Sequence, residues 1–243
     1  MKEDKKLFTV YKDVFDTGTI KAVWKLITEG HIEGLESPIK IGKESNIFSA
    51  LTKKNKRVAV KIHRILASDF FTIAKYLAMD TRFRIPGGKR KLIIMWAMRE
   101  FKNLQKAQNE GVSVPEPIAI EENAIVMKFI GEKFPKLPQP APLLKDSCDK
   151  PEEYFEQVLQ NMKILYQKAK LVHGDLSEFN MLNWKGKIII IDLSHSIPVL
   201  SAESNTLLER DVVNVCRFFN KKGLKLDVKE VIKEIKTGKI QEQ

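Results

Sequence analysis

Cysteine is scarce: only Cys148 and Cys216 occur in 243 residues. They lie far apart without neighbouring His or Cys partners. That excludes a zinc ligand set and a disulfide framework, and leaves two ordinary thiols. Long apolar runs are also missing, and no stretch approaches the ~20 residues that a membrane span requires. The opening segment MKEDKKLFTVYKD is charged and lacks the apolar core of a secretory signal. These absences predict a cytoplasmic protein with no membrane association. Acids are undersupplied as well: 31 Asp and Glu face 42 Lys and Arg, for a formal charge of +11. A field of that sign attracts polyanions, although lysines that merely solubilise the chain would produce the same total. Arg82, Arg84, Lys89, Arg90 and Lys91 cluster around a Pro86-Gly87-Gly88 turn, which favours a binding surface over even solubilisation.

No internal repeat is present. Apolar residues make up 43% of the chain, enough for one large domain or two small lobes around a cleft. Residues 17–29 read as a helix capped by Asp16 or Thr17, with Gly30 past its end. Two apolar runs within residues 38–62, joined by the polar KKNK turn, predict an antiparallel hairpin. A helix through FFTIAKYLAM, an amphipathic helix over 92–109 and a second hairpin in IAIEENAIVMKFI follow. Prolines 135, 138, 140, 142 and 151 then mark a stiff connector. Beyond it, helices are expected from Pro151 to about Lys170, over 206–220 and over 227–236. The domain reading is an N-terminal helical extension (1–37), a β-rich N-terminal lobe (38–132) with a flexible basic loop at about 64–91, a Pro-rich hinge (133–150) and a C-terminal lobe (151–243).

The chemistry sits in LVHGDLSEFNML and KIIIIDLSHS. Four isoleucines at 188–191 without alternation predict a strand buried on both faces, and Asp192 stands at its end. Taken alone, that carboxylate either caps a turn or holds a cation. Asp175 and Asn180 have the D-x-x-x-x-N spacing of a phosphoryl-transfer loop. There the Asp orients or deprotonates the attacking hydroxyl or water. The Asn gives a neutral oxygen to Mg²⁺ (or Mn²⁺), and a second acid such as Asp192 gives a charged one. His173 is expected to brace the loop. VAVK ends at Lys61, where strand alternation would place the ammonium under a nucleotide. Glu100 falls in the apolar stripe of Ile93, Trp96, Ala97, Phe101 and Leu104, and a buried acid calls for a cation such as Lys61. The alternative is that Glu100 lies at the stripe's edge and reaches water. Gly42-Lys43-Glu44-Ser45 supplies one glycine only, so it fails G-x-G-x-x-G, yet its amides and the Ser45 hydroxyl could still meet phosphate. Asp211, in a helix opened by ERD, is expected to brace the catalytic loop or cap its own helix.

Taken in order, GKESNIF, VAVKI, WAMREFKNL, HGDLSEFN and IIDLSHS resemble the RIO family of atypical serine/threonine protein kinases, from about residue 38 to 220. WAMREFKNL followed by VSVPEPI is most similar to the subfamily that lacks a winged helix, and about 37 residues before the nucleotide loop leave little room for one. The compact chain, without long charged tails, points to an archaeal member. The resemblance implies an α+β, two-lobed protein-kinase-like fold, trimmed of the full activation segment and peptide-docking subdomains, with ATP and Mg²⁺ between the lobes. It implies that Lys61 contacts phosphates and pairs with Glu100, that Asp175 is the catalytic aspartate, and that Asn180 and Asp192 hold metal. Gly42, Lys43, Glu44 and Ser45 would form the phosphate loop, while Met127, Phe129 and Ile130 would receive adenine. A phosphoaspartate at Asp192, autophosphorylation or ATP hydrolysis, and a role with the small ribosomal subunit precursor (rRNA and proteins) are further implications, with the basic 82–91 loop as the candidate contact.

Departures from ordinary protein kinases bear on substrate. Gly174 replaces the arginine of H-R-D, Leu193-Ser194 replaces the F-G of D-F-G, and no A-P-E follows. Little platform remains for an extended peptide, so weak activity on generic peptides is expected. Two alternatives stand: a small-molecule phosphotransferase of the aminoglycoside or choline type, and a non-catalytic ATP-binding assembly factor.

Overall fold

A computed structural model describes residues 15–65, 69–132 and 138–240. Residues 1–14 of the expected N-terminal extension, 66–68 of the basic loop, 133–137 of the connector and 241–243 lie outside these.

The first described helix, α1 (Thr17–Thr28), starts where Asp16 accepts from the Thr19 amide at 3.2 Å. Five antiparallel strands follow: β1 (Gly34–Ile41), β2 (Ser45–Leu51), β3 (Arg57–His63), β4 (Pro117–Glu121) and β5 (Ala124–Lys128), in the order β1-β2-β3-β5-β4. The single hairpin expected over 38–62 is therefore two. The additional turn sits at Gly42–Ser45, where the Gly42 amide donates to the Ser45 carbonyl at 3.0 Å. A Cβ at Gly42 would stand 2.9 Å from that carbonyl oxygen, so a side chain there would push the turn open. Strand β3 is buried at every position, with β2 and β5 on its two sides. Its register sets Lys61 opposite Ile47 and Ile125, and Ala59 opposite Met127.

Two helices lie between β3 and β4: α2 (Phe70–Ala78), capped by Asp69, and α3 (Lys89–Asn109). Helix α3 starts three residues before the expected 92 and is buried on more than the expected stripe. Ala97 and Phe101 pack on Ile125 of the sheet, while Ile93, Trp96 and Leu104 join the core of the C-terminal half. Burying each such large side chain is worth about 1.5–3 kcal/mol, so α3 holds the two halves in one packing unit.

After β5 the chain passes Phe129 and Ile130 into the short pair β6 (Gly131–Glu132) and β7 (Gln139–Pro140). The C-terminal half contains α4 (Pro151–Gln167), α5 (Ser204–Lys221) and α6 (Val228–Thr237), with small ladders β8 (Leu171–Val172) on β11 (Ile197–Pro198) and β9 (Met181–Trp184) on β10 (Lys187–Ile190). Helix α4 stops short of Lys170 because Lys170 adopts a left-handed backbone, φ 51°, that turns the chain into β8. The isoleucine strand is buried on both faces at 188–190, and Ile191 just beyond it lines the cleft.

Candidate active site

A cavity of about 510 Å³ opens between the sheet and the C-terminal half. Its apolar walls include Ile39, Ala59, Met127, Leu182 and Ile191, a slot suited to a flat heterocycle. Phe129 and Ile130 form its back edge, where the Ile130 carbonyl accepts from Ala141 at 3.0 Å. Gly42, Lys43, Glu44 and Ser45 line it from above. Arg64 holds that turn, donating from its guanidinium to Gly42 O at 3.1 Å and from its amide to Glu44 O at 2.8 Å.

Lys61 stands at the floor. Its Nζ donates to Glu100 Oε1 at 2.7 Å and to Asp192 Oδ1 at 2.8 Å. Glu100 is 1% exposed, so the reading that it reaches water at the stripe's edge is excluded, and its burial depends on this pairing. Burial alone would lower the Lys61 pKa; the Asp192 and Glu100 carboxylates outweigh it and raise the ammonium above its ordinary range. Burial likewise opposes ionisation of Asp192, but the Lys61 ammonium and the Ser194 hydroxyl (2.7 Å) hold its carboxyl well below the usual carboxylate range. Asp192 has φ 64°, a left-handed conformation that costs energy for a residue with a side chain and directs the carboxylate back at Lys61. His63, two residues past Lys61, places Nε2 2.9 Å from Glu100 Oε2, close but not aligned as a hydrogen bond.

The Asp175 loop is held from three sides. His173 Nδ1 accepts from the Asp175 amide at 3.3 Å, which fixes Nε2 as the donor to Ile191 O at 3.1 Å. The imidazole therefore joins the Asp175 loop to the strand that delivers Asp192. Asp211, buried in α5, accepts from the Gly174 and Leu176 amides at 2.7 and 2.8 Å, so it braces the loop rather than capping its helix. Burial pushes its carboxyl up to about 6. Asp175 is exposed beside Asn180, which lines the cavity, and Asn180 Nδ2 donates to its carbonyl at 2.8 Å and its carboxylate at 3.2 Å.

Two buried polar residues of α3 have no counterpart in the sequence reading. Arg99, fully buried, donates to Ser194 O at 2.9 Å, Ser196 O at 2.6 Å and Asp80 Oδ2 at 3.1 Å. Burial lowers its pKa to about 10, although Asp80 opposes the shift. Asn103, one turn later, donates to Leu193 O and Ser196 O. Together they fix the backbone that follows Asp192. Their spacing of four on one helix is the sequence signal, but the acceptors are carbonyls some ninety residues away.

Within the basic loop, Arg82 is tied to Asp80 and to Asn103 Oδ1 (2.7 Å), and Arg90 is paired with Asp16 (2.7 Å) and Glu122. These two arginines cross-link the fold, so the five do not form one uniformly free patch. Arg84, Lys89 and Lys91 are exposed, and Lys89 lies over the Phe70 ring at 5.0 Å.

The residues fit a magnesium nucleotide. Asn180 spends its amide hydrogens on Asp175, which leaves its carbonyl oxygen to act as a donor to metal. Both hydrogen bonds accepted by Asp192 fall on Oδ1, leaving Oδ2 uncommitted among the described residues. One neutral and one anionic oxygen in the same cavity suit a hard cation completed by phosphate oxygens. Among the described residues, no helix is long and apolar enough to cross a membrane.

Comparison with known proteins bears on the family and the fold. The RIO domain family matches residues 46–231. The RIO-type serine/threonine-protein kinase Rio1 of Haloferax volcanii is 39% identical over 93% of this chain and 77% of its own length. Its namesake in Methanocaldococcus jannaschii is 37% identical over the same shares. The crystal structure of the Rio2 kinase–ADP/Mg²⁺–phosphoaspartate complex from Chaetomium thermophilum superposes with a TM-score of 0.67 at 26% identity, covering 90% of this chain and 66% of that one. The fold is accordingly a trimmed, two-lobed kinase-like one. The RIO domain accounts for most of the sequence, and the chain belongs to the RIO family.

Proposed function

We propose that the chain is an ATP- and Mg²⁺-dependent (or Mn²⁺-dependent) serine/threonine protein kinase of the RIO type, which autophosphorylates, hydrolyses ATP or does both. The observation that carries this reading is Lys61 bound at once to Glu100 and Asp192, in the cavity that Asn180 also lines and beside the loop of Asp175. Bound Mg²⁺ would neutralise phosphate charge during transfer, held by Asn180 and Asp192. Lys61 contributes a fixed positive charge for phosphate oxygens, and Glu100 keeps that ammonium in place. Asp175, exposed and still hydrogen-bonded to Asn180, is placed to orient an incoming hydroxyl or water and accept its proton. The apolar slot takes adenine along Met127, Phe129 and Ile130.

The phosphoaspartate of the Chaetomium Rio2 complex supports Asp192, with its uncommitted Oδ2, as an acceptor within the cycle. The family match argues against a small-molecule phosphotransferase. A role in the cytoplasm with the small ribosomal subunit precursor rests on the +11 charge and on exposed Arg84, Lys89 and Lys91 as RNA phosphate contacts. The test is γ-labelled ATP and Mg²⁺ with purified protein, with and without small ribosomal subunits. Label on protein, or phosphate release stimulated by subunits, is expected. ATP binding without either product would leave a non-catalytic assembly factor.

A further inference from the structure

Helix α2 carries one side chain that bears on both loops of the site. Tyr76 is 8% exposed, and its ring stands edge-on to the His195 imidazole, with centroids 4.6 Å apart, in the turn that follows Asp192. Its hydroxyl accepts from Arg210 Nη2 at 3.0 Å, and the same nitrogen donates to the Gly174 carbonyl, immediately before Asp175. Gly174 is therefore held through the peptides on both its sides by consecutive residues of α5: Asp211 takes its N–H and Arg210 its C=O. Gly174 has φ +79°, and a Cβ there would lie 2.7 Å from the His195 carbonyl, so the two loops touch at this point. The chain lacks a loop arginine before Asp175, and Arg210 delivers a guanidinium to that place from another helix.

We propose that Tyr76 and Arg210 are positioning residues for phosphoryl transfer: seated on α2, Tyr76 sets the orientation of the Gly174–Asp175 peptide through Arg210 and the metal loop through His195. The inference rests on the kinase reading. Helix α2 is anchored at its far end by the Ser201 hydroxyl on Met79 O (2.6 Å), so its seating is coupled to the stretch between the metal loop and α5. Adenine and Lys61 contacts do not pass through Tyr76 or Arg210.

The experiment compares wild type with Tyr76→Phe, Tyr76→Ala, Arg210→Lys and Arg210→Met. It measures kcat, KM for ATP, Mg²⁺ dependence and melting temperature, together with amide hydrogen exchange at Asp175 and Leu176. Since misplacement of a catalytic group by about 1 Å costs on the order of 10²-fold, Arg210→Met is expected to lower kcat by about 10²-fold and Tyr76→Phe by about 3- to 10-fold. KM for ATP should stay within about twofold in both, given that separation between loop and adenine slot. Tyr76→Ala, which also removes the His195 contact, should raise the Mg²⁺ requirement, and Arg210→Lys should recover only part of the loss. Unchanged kcat in Tyr76→Phe and Arg210→Met overturns the proposal, as does a loss shared by KM for ATP in proportion to lost melting temperature. If wild type itself shows no transfer, the kinase reading fails. Hydrogen exchange then decides the positioning claim: faster exchange at Asp175 and Leu176 in Arg210→Met upholds it, and equal rates refute it.

Discussion

Replacing Arg99 with leucine removes three hydrogen bonds from a side chain with no exposed surface. The acceptors do not suffer equally. Ser196 O keeps Asn103, and Asp80 keeps Arg82, but Ser194 O loses its donor outright. A buried carbonyl left unpaired costs about 1–3 kcal/mol, and weakening the buried Asp80 pairing adds to that. Against this stands the relieved desolvation of the guanidinium, whose pKa of about 10 shows that burial already taxes its charge. The net expectation is a loss of about 2–4 kcal/mol. Arg99→Lys should lose a comparable amount, because one ammonium cannot span acceptors that a planar fork reaches together. Urea unfolding at pH 7 measures both variants, and hydrogen exchange at Ser194–Ser196 locates the change. A loss under about 1 kcal/mol in Arg99→Leu, with exchange unchanged, would refute the assignment of Arg99 as the clamp of the backbone after Asp192.

Other outcomes follow from the charges. Lys61→Met strands Glu100 in a site 1% exposed and should cost about 3–5 kcal/mol, with Lys61→Met/Glu100→Leu less destabilised than the single variant by urea unfolding. Asp211 has a folded pKa of about 6 against an ordinary 3.8, so its stabilising contribution is full below about pH 4 and is lost as pH rises through 6. The stability of wild type relative to Asp211→Asn should therefore fall by an amount on the order of 3 kcal/mol between pH 4 and 7; a flat difference across that range would contradict it. Asn180→Ala should raise the Mg²⁺ concentration needed for half-maximal turnover about tenfold or more while leaving melting temperature within a few degrees.

Much of the site is legible because its chemistry is written in short spacings. Asp175 and Asn180 are one loop apart, and Glu100 betrays itself as an acid in an apolar stripe. The residues that went unread act at long range. Arg99 and Asn103 look like the solvent face of an amphipathic helix, and they are buried only because α3 is sandwiched between the sheet and the C-terminal half. Arg82 and Arg90 look like a basic patch until Asp80, Asp16 and Glu122 arrive from separate segments. The polar stretch Gly42–Ser45 reads as a loop within one hairpin, and that it reverses the chain into a second hairpin is set by the pairing of β1 with β2, which local residue types do not reveal.

The central claim is that Asp175 and the Lys61–Asp192 pair form one phosphoryl-transfer site. It is tested most directly by rapid-quench measurement of γ-phosphate loss from bound ATP in wild type and Asp175→Ala, with ATP affinity measured on the same samples. The account predicts equal affinity within about threefold and a transfer rate reduced by at least about 10²-fold in the variant. Transfer retained within about threefold of wild type would show that Asp175 does not serve the reaction.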